Sequence, residues 1–261
     1  MRIDVSLPRS WEELTQPQLR RLFEVIVEVQ SRSQSLRFAD AEDFAAQTAA
    51  QVAARLFIEW GGFEVLCAAA DGVILRAPDR SPFVLDAATL SAAAAQLLWV
   101  GSLPASPVRL EVIDCSMACP ADLSEQFSFD DWLACESFWQ AYQLSQDSQW
   151  LRSMASILYH DDDIKLSEAE TLSIFYWWAS VKTMVSGMFP NFFKPAPADD
   201  APAAPSHDDL RRNMDAQIRA LTRGDITKEE RVLSLNALRA LTELDAQARE
   251  FDDLNKKYPK K

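Results

Sequence analysis

Apolar residues recur every three or four positions along much of the chain, which is the spacing of amphipathic α-helices. The first apolar stripe consists of Leu19, Leu22, Phe23 and Ile26. Thr15 and Gln18 precede it in the arrangement of a capping box, which satisfies unpaired backbone N–H groups where a helix starts. A second, alanine-rich helix is predicted from Asp40 to the Gly61-Gly62 pair, because glycine commonly ends helices.

The periodicity changes between about residues 62 and 113. In GFEVLCAAADGVILRA, Asp71-Gly72 separates two apolar runs, and such a pair accepts the positive φ angles of a two-residue hairpin turn. The segments SPFVL and PVRLEVI are further candidate strands, and Asp86 between them is predicted to cap a helix that runs through Trp99. We therefore expect a mainly α protein with a small antiparallel β-sheet (α+β).

From Ser128 onward the pattern is helical again, and its last helix, Leu172 to Met188, is apolar around most of its circumference. Its stripe consists of Ile174, Trp177, Trp178, Val181, Val185 and Met188, widened by Leu172, Phe175 and Tyr176. Such a helix is typical of the centre of a bundle. The alternative is an aromatic groove for a partner helix, because tryptophan and tyrosine are frequent interface anchors. The candidate anchors in this region are Trp139, Tyr142, Phe175 and Trp178.

A proline-, alanine- and aspartate-rich segment at residues 194–207 contains no large apolar residue and is predicted to be an extended linker. It would separate a helical body, residues 1–193, from a C-terminal helical arm, residues 208–261.

Two helices are predicted in the arm. The first carries the stripe Leu210, Met214, Ile218 and Leu221 and ends at Gly224. Thr227 and Glu230 fit a capping box that would start a second helix reaching about Leu254. The second helix has its apolar residues at Leu241, Leu244, Ala248 and Phe251. This hairpin could dock on its own body or contact a neighbouring chain, and Leu241, Leu244 and Phe251 are candidate partner-binding residues.

The charge balance disfavours nucleic acid and anionic membranes as partners. The chain has 39 acidic residues against 26 Lys and Arg, a formal net charge of −13, and such a surface repels phosphate. The apolar region Leu172 to Phe193 is interrupted by Lys182 and Pro190, so we expect no membrane span. The start of the sequence shows no secretory signal, and the four cysteines are too sparse for a disulfide scaffold. We expect a cytoplasmic protein with free thiols.

The most reactive-looking segment is YHDDDIKLSEAE, residues 159–170, yet local structure accounts for it. Ser167 and Glu170 form a capping box before the aromatic helix, and Asp161 to Asp163 are expected to be solvated. A calcium loop would need alternating ligands and a central glycine, which are missing. Cys115 and Cys119 have a spacing found in zinc sites but no second pair. His207 lies in the predicted linker, and neither it nor His160 neighbours a plausible nucleophile in the sequence. We therefore predict no catalytic, cofactor-binding or metal-binding residues.

Four segments resemble an uncharacterised protein family encoded in phages and integrated prophages of gut-associated bacteria. They are LPRSWEELTQPQLRRLFEVI, PVRLEVI, FDDWLACESFWQAYQLSQDSQWLRSMASILY and IRALTRGDITKEERVLSLNALRALTELDAQAREF. The third segment fits the family pattern F-x-x-[WYF]-L-x-x-E-[NS]-[YF]-[YFW]-Q. The chain departs from the family at Ser137, Trp139 and Ala141, where Asn, Tyr and Gly are common.

The resemblance implies a place among phage tail genes near the tape-measure protein, whose long apolar helices must stay soluble until the tail tube forms. The leading hypothesis is a non-enzymatic tail-assembly chaperone that binds such helices. A structural tail or baseplate adaptor that oligomerises and stays in the virion is the alternative, and an enzymatic or metal-dependent function is a third hypothesis.

Overall fold

The structure is a computed structural model, and it describes residues 5–33, 41–77, 81–194 and 207–258. In this part of the chain there are nine α-helices, and the strands pair only in antiparallel fashion. The helices are α1 Gln16–Ser33, α2 Ala41–Trp60, α3 Ala87–Ala94, α4 Phe129–Ser145, α5 Gln149–Leu158, α6 Glu168–Met188, α7 His207–Thr222, α8 Glu229–Leu233 and α9 Ala237–Lys257. The strands are β1 Glu64–Ala69, β2 Gly72–Arg76, β3 Phe83–Asp86, β4 Val112–Ile113 and β5 Ser116–Met117. The predicted fold class is therefore confirmed.

The chain divides into two compact units. The first contains Met1–Leu110 and Ser167–Ser173, and the second contains Glu111–Leu166 and Ile174–Lys261. These units differ from the predicted division into body, linker and arm, because the C-terminal helices belong to the same unit as α4 and α5.

In the first unit, α1 begins as predicted. The backbone N–H of Thr15 donates to Oε1 of Gln18 (3.0 Å), and the N–H of Gln18 donates to the Thr15 hydroxyl. The predicted stripe is buried. On another face of α1, Arg21 makes two hydrogen bonds to Glu59 of α2, at 2.7 and 2.9 Å. Apolar packing and this ion pair together join the two helices.

Helix α2 ends at the predicted glycines, where Gly62 has a φ of 71°. Asp40, its predicted start, lies outside the described residues.

The sheet has the order β1-β2-β3, but the predicted turn is wrong by one residue. Ala70 and Asp71 form the turn, and Gly72 pairs with Ala69 as the first residue of β2. Gly72 is required for another reason, because a Cβ there would lie 2.2 Å from the Leu85 carbonyl oxygen of β3.

Asp86 caps α3, as predicted, by accepting the backbone N–H of Thr89 at 2.9 Å. The α-helix ends at Ala94, however, and the predicted remainder is a 3₁₀ helix, Ala95–Gly101. The candidate strand PVRLEVI is also shorter than predicted, because only Val112–Ile113 pairs, as β4 with β5.

The second unit is built around α4 and the apolar helix α6. Ser128 caps α4, and Asp131 completes the capping box. Trp132 of α4 and Trp178 of α6 are both fully buried, with ring centroids 5.3 Å apart. Met188, predicted to lie in the buried stripe of α6, is instead exposed at the end of the helix.

Helices α7, α8 and α9 pack on α4. Ser128 and Asn236 form an isolated antiparallel bridge, and Phe129 N–H donates to the Leu235 carbonyl at 2.7 Å. Of the two predicted alternatives for the C-terminal helices, docking on the same chain is the one that the structure contains.

The predicted capping box of Thr227 and Glu230 is wrong. Asp225 accepts hydrogen bonds from both the backbone N–H and the hydroxyl of Thr227, and a 3₁₀ turn, Ile226–Lys228, follows. The second predicted helix is two helices, because the chain breaks at residues 234–236 and Asn236 caps α9. The first arm helix does end as predicted, with Gly224 at a φ of 78°.

Most of the predicted linker, residues 195–206, lies outside the described residues. Its two ends differ from the expectation. Lys194 forms an ion pair with Asp252 of α9, and His207 is the first residue of α7.

Candidate functional site

Three of the predicted partner-binding residues come together in the second unit, as an aromatic cluster of Trp139, Tyr142 and Phe175. The first two lie one helical turn apart on α4, and Phe175 comes from α6. Their ring centroids are 5.4 to 6.0 Å apart, within the range of favourable aromatic pairs. All three are half-buried. Burial raises the pKa of the Tyr142 hydroxyl, which therefore stays protonated at neutral pH. The cluster presents apolar ring surface together with a hydrogen-bonding hydroxyl.

Trp178 does not belong to this cluster. Its side chain is 0% exposed and packs against Trp132 and Phe127. Helix α6 is apolar around most of its circumference, so the sequence does not distinguish the buried Trp178 from the half-buried Phe175. A partner has no access to Trp178 in this structure, and its role is to pack the core of the unit.

Helix α9 changes from buried to exposed along its length. Leu241 is 0% and Leu244 is 4% exposed, so these two predicted partner-binding residues are core residues. Phe251, the third, is 65% exposed. The cause is tertiary packing, because α9 lies against α4 and α7 and its buried leucines precede its exposed apolar residues.

Two residues missed by the sequence analysis continue the exposed apolar surface at the end of α9. Leu254 is 58% and Tyr258 is 68% exposed. Phe251 and Leu254 lie on one face of α9, and Tyr258, the residue that caps the helix, follows Leu254 by four positions. We call Phe251, Leu254 and Tyr258 the terminal stripe. The signal that would have identified it is the continuation of the same periodicity past Leu254, where the helix was predicted to end.

The start of the exposed part is fixed by Asp245. Its carboxylate accepts hydrogen bonds from the backbone N–H and side-chain amide of Asn191, at 2.8 and 2.9 Å, and from the Phe192 N–H at 3.0 Å. Burial opposes ionisation of this carboxyl, but the three hydrogen bonds outweigh burial and lower its pKa. Asp245 therefore anchors α9 to the turn that follows α6.

The acidic segment after Tyr159 has a structural role. The carboxylate of Asp161 accepts a hydrogen bond from the Ser116 hydroxyl and another, at 3.0 Å, from the Asp163 N–H. The expectation that Asp161 is only solvated was therefore wrong. Ser167 and Glu170 form the predicted capping box. Within the described ranges, no three His, Cys, Asp or Glu side chains are grouped so that they could hold a metal ion.

The cysteines are all free thiols, and the two whose spacing resembles a zinc pair differ in burial. Cys115 is exposed, whereas Cys119 is buried. Among the helices that the structure describes, none has the length and apolar character needed to cross a bilayer.

Comparison of the chain with models of protein families, with curated proteins and with solved structures finds no match. The geometry of the terminal stripe and the aromatic cluster is therefore the basis for a functional assignment.

Proposed function

We propose that the protein is a non-enzymatic phage or prophage protein that binds helical segments of a tape-measure-like partner during tail assembly. The observation that carries this proposal is the terminal stripe. An amphipathic helix whose C-terminal part carries large exposed apolar residues on one face is suited to pair with the apolar face of another helix. The sequence resemblance supplies the phage setting and the host cytoplasm.

The energetics favour an apolar partner. Fully burying one large apolar side chain contributes roughly 1.5–3 kcal/mol. The three stripe residues are more than half exposed, so most of this contribution is still available to a complex. The half-buried rings of the aromatic cluster are of the residue types that form interface anchors, and they supply a second contact surface.

The acidic surface supports a chaperone role. A formal net charge of −13 gives repulsion between complexes. A partner helix with exposed apolar residues would otherwise self-associate, and binding shifts it towards the dispersed complex by mass action.

The test is co-expression of the full chain with the products of adjacent genes, followed by affinity capture and light scattering of any long helical partner. The variant Phe251→Asp/Leu254→Asp removes the stripe, and Leu144→Asp is the matched control, because Leu144 is an exposed leucine (52%) at the end of α4. An anchor worth about 2 kcal/mol corresponds to roughly a 30-fold loss of affinity. We expect the double variant to leave the partner insoluble and the control to keep it soluble. Equal capture by all three proteins would contradict the proposal.

A second candidate function is a structural adaptor that oligomerises through the same stripe. The charges beside the stripe favour it, because acidic Glu250 and Asp253 are followed by basic Lys256 and Lys257. In an antiparallel pair of identical helices, these opposite charges would face each other. Light scattering of the protein alone distinguishes the two functions. A symmetric oligomer that the double variant converts to monomer supports the adaptor, and a monomer supports the chaperone.

A further inference from the structure

An open groove of about 690 Å³ lies in the second unit, between the start of α4 and α8. Ile226, in the 3₁₀ turn before α8, is 79% exposed, which makes it the most exposed large apolar residue in the described part of the chain. Leu233 of α8 adds a second, half-buried apolar side chain. We call this surface the acidic groove, and it is lined by Ser128, Asp130, Ile226, Glu229, Glu230, Leu233 and Ser234.

The charged residues in the described lining of the acidic groove are all carboxylates. Asp130 and Glu230 are exposed and Glu229 is half-buried, so three carboxylates give the lining a formal charge of −3. The nearby Lys228 lies outside the lining and forms an ion pair with Asp225 at 3.0 Å. An exposed apolar residue beside uncompensated carboxylates is complementary to a segment that carries both an apolar residue and positive charge.

The last residues of α9 have this chemistry. Lys256 and Lys257 are exposed, Tyr258 beside them is 68% exposed, and two further lysines follow in the sequence. We call Lys256, Lys257 and Tyr258 the basic end. Lys256 forms an exposed ion pair with Asp253 at 3.9 Å, and Nζ of Lys257 lies 5.8 Å from the Tyr258 ring centroid. Exposed interactions of this kind are weak, so the basic end is available to a partner.

The length of α9 keeps the basic end away from the acidic groove of its own chain. Ala237–Lys257 is one continuous helix of 21 residues, and a rise of 1.5 Å per residue makes it about 30 Å long. The helix starts beside the groove, because Ser234 of the lining precedes Ala237 by only three residues. The basic end therefore lies about 30 Å further along the helix, where it can meet the groove of another copy.

We propose that the protein associates head to tail, with the basic end of one copy bound in the acidic groove of another. Lys256 and Lys257 would pair with Asp130 and Glu230, and Tyr258 would cover Ile226. The two surfaces differ, so the contact is heterologous, and each pair of copies keeps one free groove and one free basic end. Association therefore continues beyond the dimer. This inference does not rest on the proposed function.

The expected association is weak and reversible, because one contact between an aromatic and an aliphatic side chain and a few exposed ion pairs make a small interface. We expect a dissociation constant of about 0.1–1 mM. Sedimentation equilibrium of the full chain should then show a weight-average mass that rises over this range of concentration. Salt at about 0.15 M screens the general repulsion between these acidic molecules beyond about 8 Å. A constant monomer mass up to about 1 mM would overturn the proposal.

Charge reversal on each surface tests the pairing. The groove variant Asp130→Lys/Glu230→Lys and the end variant Lys256→Glu/Lys257→Glu should each weaken self-association about tenfold or more, because like charges then face each other. An equimolar mixture of the two variants should associate as the parent does, since each reversed surface meets its complement on the other protein. Circular dichroism establishes that both variants are folded. A mixture that stays monomeric would overturn the proposal.

The control for net charge is Asp162→Lys/Asp163→Lys, which reverses two exposed carboxylates of the same unit outside the acidic groove. It changes the net charge by the same amount as the groove variant and should associate as the parent does. Equal weakening in this control would overturn the proposal. Phe251→Asp/Leu254→Asp, which tests the proposed function, should also leave head-to-tail association intact. Self-association that this variant abolishes and the groove variant leaves intact would instead belong to the terminal stripe and would overturn head-to-tail pairing.

Discussion

Replacing Leu241 by alanine tests whether the C-terminal helices are part of the core of the second unit. Leu241 is 0% exposed, and the change removes three carbon groups worth about 0.8 kcal/mol each, so the transfer contribution is about 2.4 kcal/mol. The cavity left behind adds to this loss, and buried leucine-to-alanine changes cost roughly 2–5 kcal/mol. We therefore expect the free energy of unfolding to fall by about 3 kcal/mol.

Leu254→Ala is the matched control, because it is the same substitution on the same helix at a side chain that is 58% exposed. Exposed substitutions of this kind change stability by about 0.5 kcal/mol or less. Urea unfolding of both variants and the parent, followed by far-UV circular dichroism and tryptophan fluorescence, gives the midpoints and slopes. A loss below about 1 kcal/mol for Leu241→Ala would refute the assignment of this residue to the core. Equal losses for the two variants would refute the division of α9 into a buried and an exposed part.

Two further predictions concern glycine packing and acid stability. Gly72→Ala would place a Cβ 2.2 Å from the Leu85 carbonyl oxygen and should lower stability by about 1–3 kcal/mol. Gly187→Ala has nothing within 4 Å of its Cβ and should stabilise α6 by about 0.5–1 kcal/mol. Calorimetry that ranks the stability of the two variants in the opposite order would contradict this geometry. The hydrogen bonds from Arg21 hold the pKa of Glu59 in the folded protein below its ordinary value of about 4.3. The ionised Glu59 carboxylate therefore stabilises the fold above about pH 4.3, and this stabilisation is lost as the pH falls through the lower pKa of the folded state. Glu59→Gln should therefore flatten the decrease in urea midpoint between about pH 5 and pH 3, and an unchanged slope would count against the ion pair.

Local hydrogen bonds determine whether a capping motif in the sequence marks the actual start of a helix. The pairs Thr15 with Gln18 and Ser167 with Glu170 form the predicted capping boxes. Thr227 and Glu230 have the same spacing, but Asp225 is a stronger acceptor nearby and takes both donors of Thr227. A capping motif is therefore predictive only when no competing carboxylate lies within reach, and this competition can itself be read from the sequence.

The candidate surfaces were less predictable, because exposure depends on contacts between distant segments. Phe175 and Trp178 lie on the same apolar helix, yet α4 and Phe127 cover only Trp178 completely. The same limit applies to α9, where the apolar spacing continues from Leu241 to Tyr258 without a change that would mark where burial ends. The pattern identifies the helix and its apolar face, and the tertiary structure decides which part of the face is covered.

Two alternatives were predicted for the C-terminal helices: docking on the same chain, and contact with a neighbouring chain. Helix α9 can do both, because its first part is buried and its last part is exposed. Leu241 and Leu244 are covered by the second unit, and Asp245 fixes α9 to the turn after α6 directly beyond them. The residues that follow, as far as Lys257, are held in a continuous helix on which Phe251 and Leu254 stay exposed. A partner that binds there meets a surface whose backbone is already ordered, so less conformational entropy is lost on binding than for a disordered tail. Substitutions at the buried leucines before Asp245 should therefore lower stability, and under the proposed function substitutions of the exposed apolar residues after it should weaken partner binding.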